Sequence, residues 1–236
     1  MRRVRIIGPG RAGRSLHLAL TRAGWAVEDL LGRDDDPKAA ADGVDLVVLA
    51  TPDATVPVVA DRIEPRAGVV VAHLSGSLGL APLQAHAERA VVHPLVALPD
   101  PDRGAERLVG AWYGIATEGH PMAMEVVSAL GGRAVDIAER DWVRYHAAAV
   151  IASNHLVALL GQVERVAGEI SAPLEAYLDL ARGSLEDVAA VGPAAALTGP
   201  VRRGDHDTVA RHVAALDADE VPAYEAMSRE AGRLCP

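Results

Sequence analysis

The fold is decided by the opening stretch Val4-Arg5-Ile6-Ile7-Gly8-Pro9-Gly10-Arg11-Ala12-Gly13. Its β-branched run predicts a short buried strand that ends at a glycine. The apolar residues that follow Gly13 recur at helical spacing as far as Gly24, which predicts a helix. Gly8, Gly10 and Gly13 therefore occupy the turn between a strand and a helix, in the pattern G-x-G-x-x-G.

This strand–turn–helix context is the one in which the pattern binds a dinucleotide. The first glycine makes the tight turn, the second lets a diphosphate approach the backbone, and the third lets the helix pack closely on the strand. The amino terminus of the helix offers free N–H groups to the phosphates. An ordinary glycine-rich turn is the alternative. The predicted cofactor contacts in this turn are Gly8, Gly10, Arg11, Ala12 and Gly13.

Further apolar runs, separated by helical spacers, continue through the first half of the chain. They predict strands at Trp25–Leu31, Asp45–Ala50, Gly68–Leu74, Ala90–His93 and Trp112–Thr117. Strands that alternate with helices indicate a parallel, doubly wound α/β sheet.

Arg33 bears on the choice of dinucleotide because it follows the second predicted strand. An acidic residue at this place holds the 2′-hydroxyl of the NAD ribose, whereas an arginine accommodates the 2′-phosphate of NADP. Arg33 comes first and the aspartates 34–36 follow it. The sequence therefore favours NADP and leaves NAD possible.

Three polar segments follow predicted strands: Thr51-Pro52-Asp53, Ser75-Gly76-Ser77 and His93-Pro94. In open α/β sheets, ligands bind in the crevice at the carboxyl ends of the strands. We therefore expect Thr51 and Pro52 to contact the cofactor. We expect His93 to act as a general acid or base, because its ordinary pKa lies near 6.5, with Ser75 or Ser77 orienting it. Simple turn punctuation is the alternative.

The chain after Asp136 shows helical patterns only, which predicts two domains at 1–138 and 139–236. A long helix is expected over Asp141–Gly168, buried in a core or between subunits, with Asn154 as a polar residue that needs a partner, structural or substrate. The segment Leu197–Asp205 is either a loop before a helix capped by Asp205 or Asp207, or a cationic clamp in which Arg202 or Arg203 binds a carboxylate.

Composition excludes several classes of protein. The 236 residues carry a net charge of −9, which disfavours nucleic acid or an anionic membrane as a partner. A single cysteine excludes a disulfide framework and indicates a reducing, cytoplasmic compartment. We expect no signal peptide or membrane span, and the histidine spacings predict no metal site.

The motifs together resemble those of a known group of proteins. Besides the glycine turn, they are Ser75-Gly76-Ser77, His93-Pro94-Leu95, Tyr145-His146-Ala147-Ala148-Ala149, Ser153-Asn154-His155 and Leu197-Thr198-Gly199-Pro200-x-x-Arg203-Gly204-Asp205. They are similar to those of bacterial Rossmann-like proteins with a C-terminal domain of unknown function. The resemblance places the chain in the 6-phosphogluconate dehydrogenase-like superfamily, which includes ketopantoate reductase. It implies a Rossmann sheet followed by an all-α 6-phosphogluconate dehydrogenase C-terminal-like domain.

The resemblance also implies an activity: an NAD(P)-dependent oxidoreductase, homodimeric through its helical domain. We expect it to reduce a small 2-oxo acid, as ketopantoate reductase does, or to oxidise the hydroxy acid. Asn154 resembles the family's catalytic asparagine, and His155 and Arg203 are the expected substrate contacts. The family's catalytic lysine is missing, because Val150 stands one turn before Asn154. The alternative is therefore a non-catalytic NADP-binding regulatory or partner module.

Overall fold

The computed structural model describes residues 1–235 and divides the chain into two compact units. The N-terminal unit is Met1–Ser153, and the C-terminal unit begins at Asn154. The sequence expectation set the boundary at residue 138, just after the last strand. In the structure the boundary lies after Ser153, so the helix that follows the last strand belongs to the N-terminal unit.

The N-terminal unit contains a seven-stranded sheet of order β2-β1-β3-β4-β5-β6-β7. Its strands are β1 (Arg3–Ile7), β2 (Ala26–Val27), β3 (Leu46–Leu49), β4 (Val70–His73), β5 (Arg89–Pro94), β6 (Trp112–Glu118) and β7 (Arg133–Asp136). Neighbouring strands run parallel except β5 and β6, which are antiparallel. The predicted α/β fold, a Rossmann-type sheet followed by helices, is confirmed.

Two details of the predicted sheet are corrected. The sheet is not wholly parallel, because β6 returns antiparallel beside β5. The strand β7 was not predicted, because Arg-Ala-Val-Asp holds only two apolar residues and lies largely exposed at the sheet edge. The second predicted strand is also interrupted: β2 pairs over two residues, and Leu31 rejoins β1 through a bridge to Ile7.

Helices cover both faces of the sheet, which explains why every residue of β3 and β4 is buried. One face packs against α1 (Arg11–Arg22), α3 (Pro101–Leu108) and α4 (Met122–Ala129). The other packs against the short α2 (Val56–Ala60) and neighbouring 3₁₀ turns. Both layers leave the carboxyl ends of the parallel strands at one edge of the sheet, and this edge carries the candidate site.

The long helix expected over Asp141–Gly168 forms three segments. They are α5 (Trp142–Val150), a π-helical turn (Ile151–His155) and α6 (Leu156–Glu169). The expectation that this helix is buried is corrected for the single chain, since Trp142 is the only residue of α5 that is buried. The segment Glu139–Glu169 is long and apolar enough to cross a membrane, judged by length and composition alone. Core helices of soluble proteins also meet this criterion. In the most apolar 18-residue stretch of the segment, 6% of the residues are buried.

The C-terminal unit is helical throughout its described residues. After α6 come α7 (Leu174–Val191), α8 (Pro193–Ala196), α9 (Gly199–Arg203), α10 (His206–Ala215) and α11 (Val221–Gly232). The segment read as a loop or clamp therefore contains a helix, α9, because Pro200 and the residues after it favour a first helical turn. Asp205 caps α10 by accepting the Thr208 N–H at 3.0 Å, which confirms one of the expected caps.

The C-terminal unit buries little of itself. Among its described residues only Ala167 and Glu220 are buried. Glu220 is held from α6, because Gln162 Nε2 donates to its carbonyl at 2.9 Å and Arg165 pairs with its carboxylate. Large apolar side chains of α6 and α7 stay exposed, including Val157 at 68% and Leu180 at 69%.

Candidate functional site

The glycine turn after β1 is shaped for close contact on one side and open on the other. A β-carbon on Gly13 would lie 2.0 Å from the carbonyl oxygen of Gly8, so α1 approaches the turn as only glycine permits. Gly8 has a φ of +112°, and a β-carbon there would lie 2.6 Å from the oxygen of Ala50. A β-carbon on Gly10 would meet no atom within 4 Å. The first and third glycines therefore allow close contact between backbone segments, and the second faces open space.

The amino terminus of α1 opens into the same space. Gly10 is the N-cap residue, with an extended backbone and no side-chain cap, so the first N–H groups of the helix have no capping partner. The positive end of the helix dipole lies there as well. Open N–H groups, a glycine with room above it and a positive dipole end together fit a diphosphate.

Arg33 lies beside this turn. The Gly8 N–H donates to the Leu31 carbonyl at 2.8 Å, which brings the end of the second strand against the glycine turn. Two of the three neighbouring acids are engaged elsewhere, because Asp35 accepts the Gly32 N–H at 2.7 Å and Asp36 pairs with Arg62 at 3.2 Å, while Asp34 is exposed. Arg33 is exposed and has no ion pair within residues 1–235. Arg33 is thus an exposed cation beside the glycine turn.

His93 and Tyr145 form a hydrogen-bonded pair at the carboxyl end of β5. His93 Nδ1 lies 2.7 Å from the Tyr145 hydroxyl, and the two rings meet edge to face. Tyr145 belongs to α5, which follows the sheet in the same unit. The pair thus joins a strand end to a helix across 52 residues of sequence.

Two glycines fix the positions of these rings. A β-carbon on Gly76 would lie 2.6 Å from His93 Nε2 and 2.8 Å from the ring of His146. A β-carbon on Gly114 would lie 2.3 Å from the Tyr145 hydroxyl. The buried ring of Trp142 supports Tyr145 from its other side, with ring centroids 5.1 Å apart. The imidazole and the phenol are therefore held in place by packing on each side.

Burial sets the protonation of the pair. Loss of solvent lowers the pKa of His93 to about 4, an effect that the nearby His146 and His73 reinforce and Asp53 opposes. Burial also raises the pKa of Tyr145 to about 12, which the Gly114 amide partly offsets. At neutral pH both groups are uncharged.

His73 fixes the loop that carries the two serines. Its Nε2–H donates to the Gly79 carbonyl at 2.9 Å, so its Nδ1 is free to accept the Ser75 N–H at 3.2 Å. Burial lowers the pKa of His73, which keeps it neutral. The carboxylate of Glu139, in the 3₁₀ turn between β7 and α5, accepts the Leu80 N–H at 3.0 Å. The loop is thus anchored at both ends.

The two serines of this loop make other contacts than the expected one. The Ser75 hydroxyl oxygen accepts the N–H groups of Ser77 and Leu78 at 3.2 and 3.3 Å. The Ser77 hydroxyl donates to Asp53 at 2.5 Å. Neither hydroxyl is hydrogen-bonded to His93, and Tyr145 occupies that position instead.

Thr51 and Pro52 follow β3, at the same edge of the sheet as the glycine turn. The Thr51 hydroxyl oxygen is buried and has no hydrogen-bond partner within residues 1–235. Pro52 is exposed and precedes a 3₁₀ turn. A buried hydroxyl without a partner is a group that a ligand could satisfy.

The remaining expected site residues belong to the C-terminal unit. Asn154 and His155 lie in the π-helical turn, and Arg203 ends α9; all three side chains are exposed. Asn154 was expected to be buried with a partner, and in the single chain it is neither buried nor hydrogen-bonded to any residue of 1–235. The roles assigned to these three residues stay predictions.

Sequence reasoning selected none of Tyr145, His73 and His146 as a site residue. Tyr145-His146 begins one of the motifs that carry the family resemblance, and that motif was the available signal. The contact of Tyr145 with His93 depends on where α5 packs, which no local pattern encodes. Within residues 1–235 no cluster of His, Cys, Asp and Glu could hold a metal ion.

Comparisons with known proteins address the family and the fold. Residues 113–231 match the family model described as a domain of unknown function, DUF2520. No curated protein matches the chain. A provisionally assigned NADP oxidoreductase from Bacteroides fragilis is 18% identical, with 98% of each chain covered and a TM-score of 0.78.

Two further solved structures share the fold at lower identity. The pyrroline carboxylate reductase of Plasmodium falciparum with NADP bound is 13% identical, with 100% of this chain and 98% of that chain covered and a TM-score of 0.67. A reductive aminase from Aspergillus terreus in complex with NADPH4 is 15% identical, with coverage of 99% and 94% and a TM-score of 0.70. At these identities the likeness establishes the fold.

Proposed function

The chain belongs to the DUF2520 family, and on that premise we propose that it is an NADP-dependent oxidoreductase of the ketopantoate-reductase type. It reduces the carbonyl of a small 2-oxo acid or oxidises the corresponding hydroxy acid. One observation carries the proposal: an open glycine turn and a half-buried His93–Tyr145 pair lie at the carboxyl ends of the parallel strands of one sheet, in one unit. Ligands of open α/β sheets bind at that edge.

The residues that would hold the dinucleotide follow from the geometry of the turn. The N–H groups at the start of α1, at Arg11, Ala12 and Gly13, would hold the diphosphate. Arg33 would bind the 2′-phosphate, and Thr51 and Pro52 would contact the cofactor. NADP appears in the descriptions of all three solved relatives above, which supports the choice. When bound, the reduced cofactor supplies a hydride.

The chain's own residues supply the proton. His93 gives a proton to the carbonyl oxygen in reduction and takes it back in oxidation. Its packing against Gly76 and His146 holds the ring in one orientation, so little freedom is lost when the substrate binds.

Reduction of an imine is a second candidate, favoured by the charge around His93. The charged group that faces His93 is the carboxylate of Asp53, and no salt bridge joins Asp53 to an arginine or lysine within residues 1–235. A negative charge suits a protonated imine. Two of the relatives, by their names, are a pyrroline carboxylate reductase and a reductive aminase.

A substrate panel tests these functions. The purified protein is incubated with NADPH and either 2-oxo acids, ketopantoate among them, or cyclic imines, and NADPH consumption is followed. Turnover of a 2-oxo acid supports the first function and turnover of an imine the second. NADPH binding without turnover of either class would instead favour a non-catalytic regulatory or partner module.

Arg33→Ala is expected to weaken NADPH binding at least tenfold and leave NADH binding unchanged. Loss of a charge-assisted hydrogen bond costs about 1.5–3 kcal/mol, which corresponds to about 10- to 100-fold in affinity. Calorimetric titration of both cofactors measures the effect. Arg62→Ala is the matched control, because Arg62 is an exposed arginine paired with Asp36 of the same loop. Equal loss of NADPH and NADH affinity would reject the 2′-phosphate role of Arg33.

We also propose that the protein is a homodimer through its C-terminal unit. Only two described residues of this helical unit are buried, so most of its apolar surface faces water. Removing apolar surface from water is favourable by roughly 25 cal/mol per Å². A second copy covering α6 and α7 would bury the exposed Val157 and Leu180.

Leu180→Asp is therefore expected to convert the dimer to monomer, since a charge in an apolar interface is desolvated without a partner. Light scattering after size-exclusion chromatography measures the mass. Val58→Asp is the control, because Val58 is 62% exposed and lies in the N-terminal unit. A monomeric parent protein would refute the assembly.

A further inference from the structure

The hydroxyl of Tyr145 has one side-chain hydrogen-bond partner within residues 1–235, His93 Nδ1, and it also lies against the Gly114 amide, which can only donate to it. The phenol O–H is satisfied when it donates to Nδ1. A buried O–H without an acceptor would cost about 1–3 kcal/mol of stability. The imidazole then carries its proton on Nε2, the nitrogen that faces Gly76 and the ring of His146. The geometry thus selects the tautomer of His93 that carries its proton on Nε2.

The protonated form of His93 is a scarce acid near neutral pH. With a pKa of about 4, roughly one molecule in a thousand carries the imidazolium at pH 7. The proton that the product needs must therefore come from the neutral ring. A neutral imidazole gives up its Nε2 proton readily only when Nδ1 gains a proton in the same step.

Resting on the proposed carbonyl reduction, we propose that Tyr145 is the proton source of the site and acts through His93. As the substrate oxygen takes the Nε2 proton, Nδ1 takes the proton of the Tyr145 hydroxyl. The O–H bond of the product and the Nδ1–H bond form while the Nε2–H and phenol O–H bonds break. The phenolate left on Tyr145 then takes a proton from water. Oxidation of the hydroxy acid runs through the same steps in reverse.

The other groups that face His93 cannot take this part. They are His146 on α5, His73 on β4 and Asp53 after β3. Both ring nitrogens of His73 are engaged, with Gly79 and with Ser75. The carboxylate of Asp53 accepts from Ser77, and His146 meets His93 edge to face without a hydrogen bond within residues 1–235. Tyr145 is the group in contact with Nδ1.

Tyr145→Phe separates the relay from a structural role, because the ring that packs on Trp142 remains. The variant is expected to lose about 100-fold in kcat at pH 7, within the range typical of general acid catalysis, and to keep its NADPH affinity. The parent kcat is expected to be level between about pH 6 and 9. That of the variant rises about tenfold for each unit of pH decrease, because it depends on the scarce imidazolium. A variant with the level profile of the parent would overturn the relay.

Tyr113→Phe is the matched control. Tyr113 is a buried tyrosine on β6 whose hydroxyl donates to the Leu108 carbonyl at 2.6 Å, away from His93. Its removal deletes the same atom from the same unit, and the pH profile of kcat is expected to stay level. A tilted profile in this variant too would assign the effect to general loosening and overturn the relay.

A second readout needs no substrate. Nitrogen-15 NMR of the His93 ring is expected to show a protonated Nε2 and an unprotonated Nδ1 in the parent, and a mixture of tautomers in Tyr145→Phe. A protonated Nδ1 in the parent would overturn the proposal. This measurement is independent of the proposed function. If no substrate in the panel turns over, the carbonyl reduction is rejected, and the tautomer of His93 can still be determined.

Discussion

Gly13→Ala is expected to abolish NADPH binding and to lower the free energy of unfolding by about 3 kcal/mol. The added β-carbon would lie 2.0 Å from the Gly8 carbonyl oxygen and 3.2 Å from the side chain of Ala50. Neither the turn nor α1 can yield without separating the helix from β1, because backbone atoms are involved. Thermal and denaturant unfolding measure the stability, and calorimetric titration measures the affinity.

Gly10→Ala is the paired control in the same turn. Its φ of −74° suits any residue, and its β-carbon would meet no atom within 4 Å. The unfolding midpoint should stay at the parent value, whereas the methyl group occupies the space proposed for the diphosphate and weakens NADPH binding. If Gly13→Ala keeps both parent stability and parent affinity, the packing of the turn is misread. If Gly10→Ala keeps parent affinity, the diphosphate lies elsewhere.

His93→Gln is expected to lower kcat/KM by about 10²- to 10⁴-fold, the usual contribution of a positioned general acid or base. Glutamine keeps much of the volume of the ring and cannot exchange a proton at neutral pH. NADPH affinity should not change, because His93 lies on β5 and is not part of the glycine turn after β1. His120→Gln is the control, since His120 follows β6 at the opposite edge of the sheet. Undiminished turnover in His93→Gln would remove His93 from the mechanism.

The same variant carries a signature in stability. The pKa of His93 is about 4 in the folded protein and near 6.5 in the unfolded chain, so the unfolded chain binds the additional proton between these values. The parent protein should therefore lose stability as the pH falls from about 6.5 to 4. The loss should be smaller in His93→Gln, and equal pH slopes would contradict the burial of the ring.

The glycine turn and the buried strands could be predicted because their signals are local. Gly8 and Gly13 are required by backbone contacts within one strand–turn–helix unit. The central strands are apolar except for His73 at the end of β4, since helices cover both faces. The edge strand β7 has no such covering, and its sequence resembles a polar loop.

The chemistry at the strand ends was predicted only in part. The position of His93 follows from the end of β5, whereas its partner Tyr145 depends on the packing of α5, 52 residues later. The serines were expected to orient His93, but the backbone of their own loop engages Ser75 and Asp53 engages Ser77. Small polar residues after a strand bond to their neighbours as readily as to a ligand, and sequence alone does not separate these outcomes.

The proposed oxidoreductase activity requires the turn after β1 to bind a dinucleotide, and calorimetric titration of the parent protein with NADPH and NADH measures this binding. We expect one NADPH per chain with a dissociation constant on the order of micromolar, equivalent to about −8 kcal/mol, and weaker binding of NADH. No detectable association of either cofactor would contradict the account.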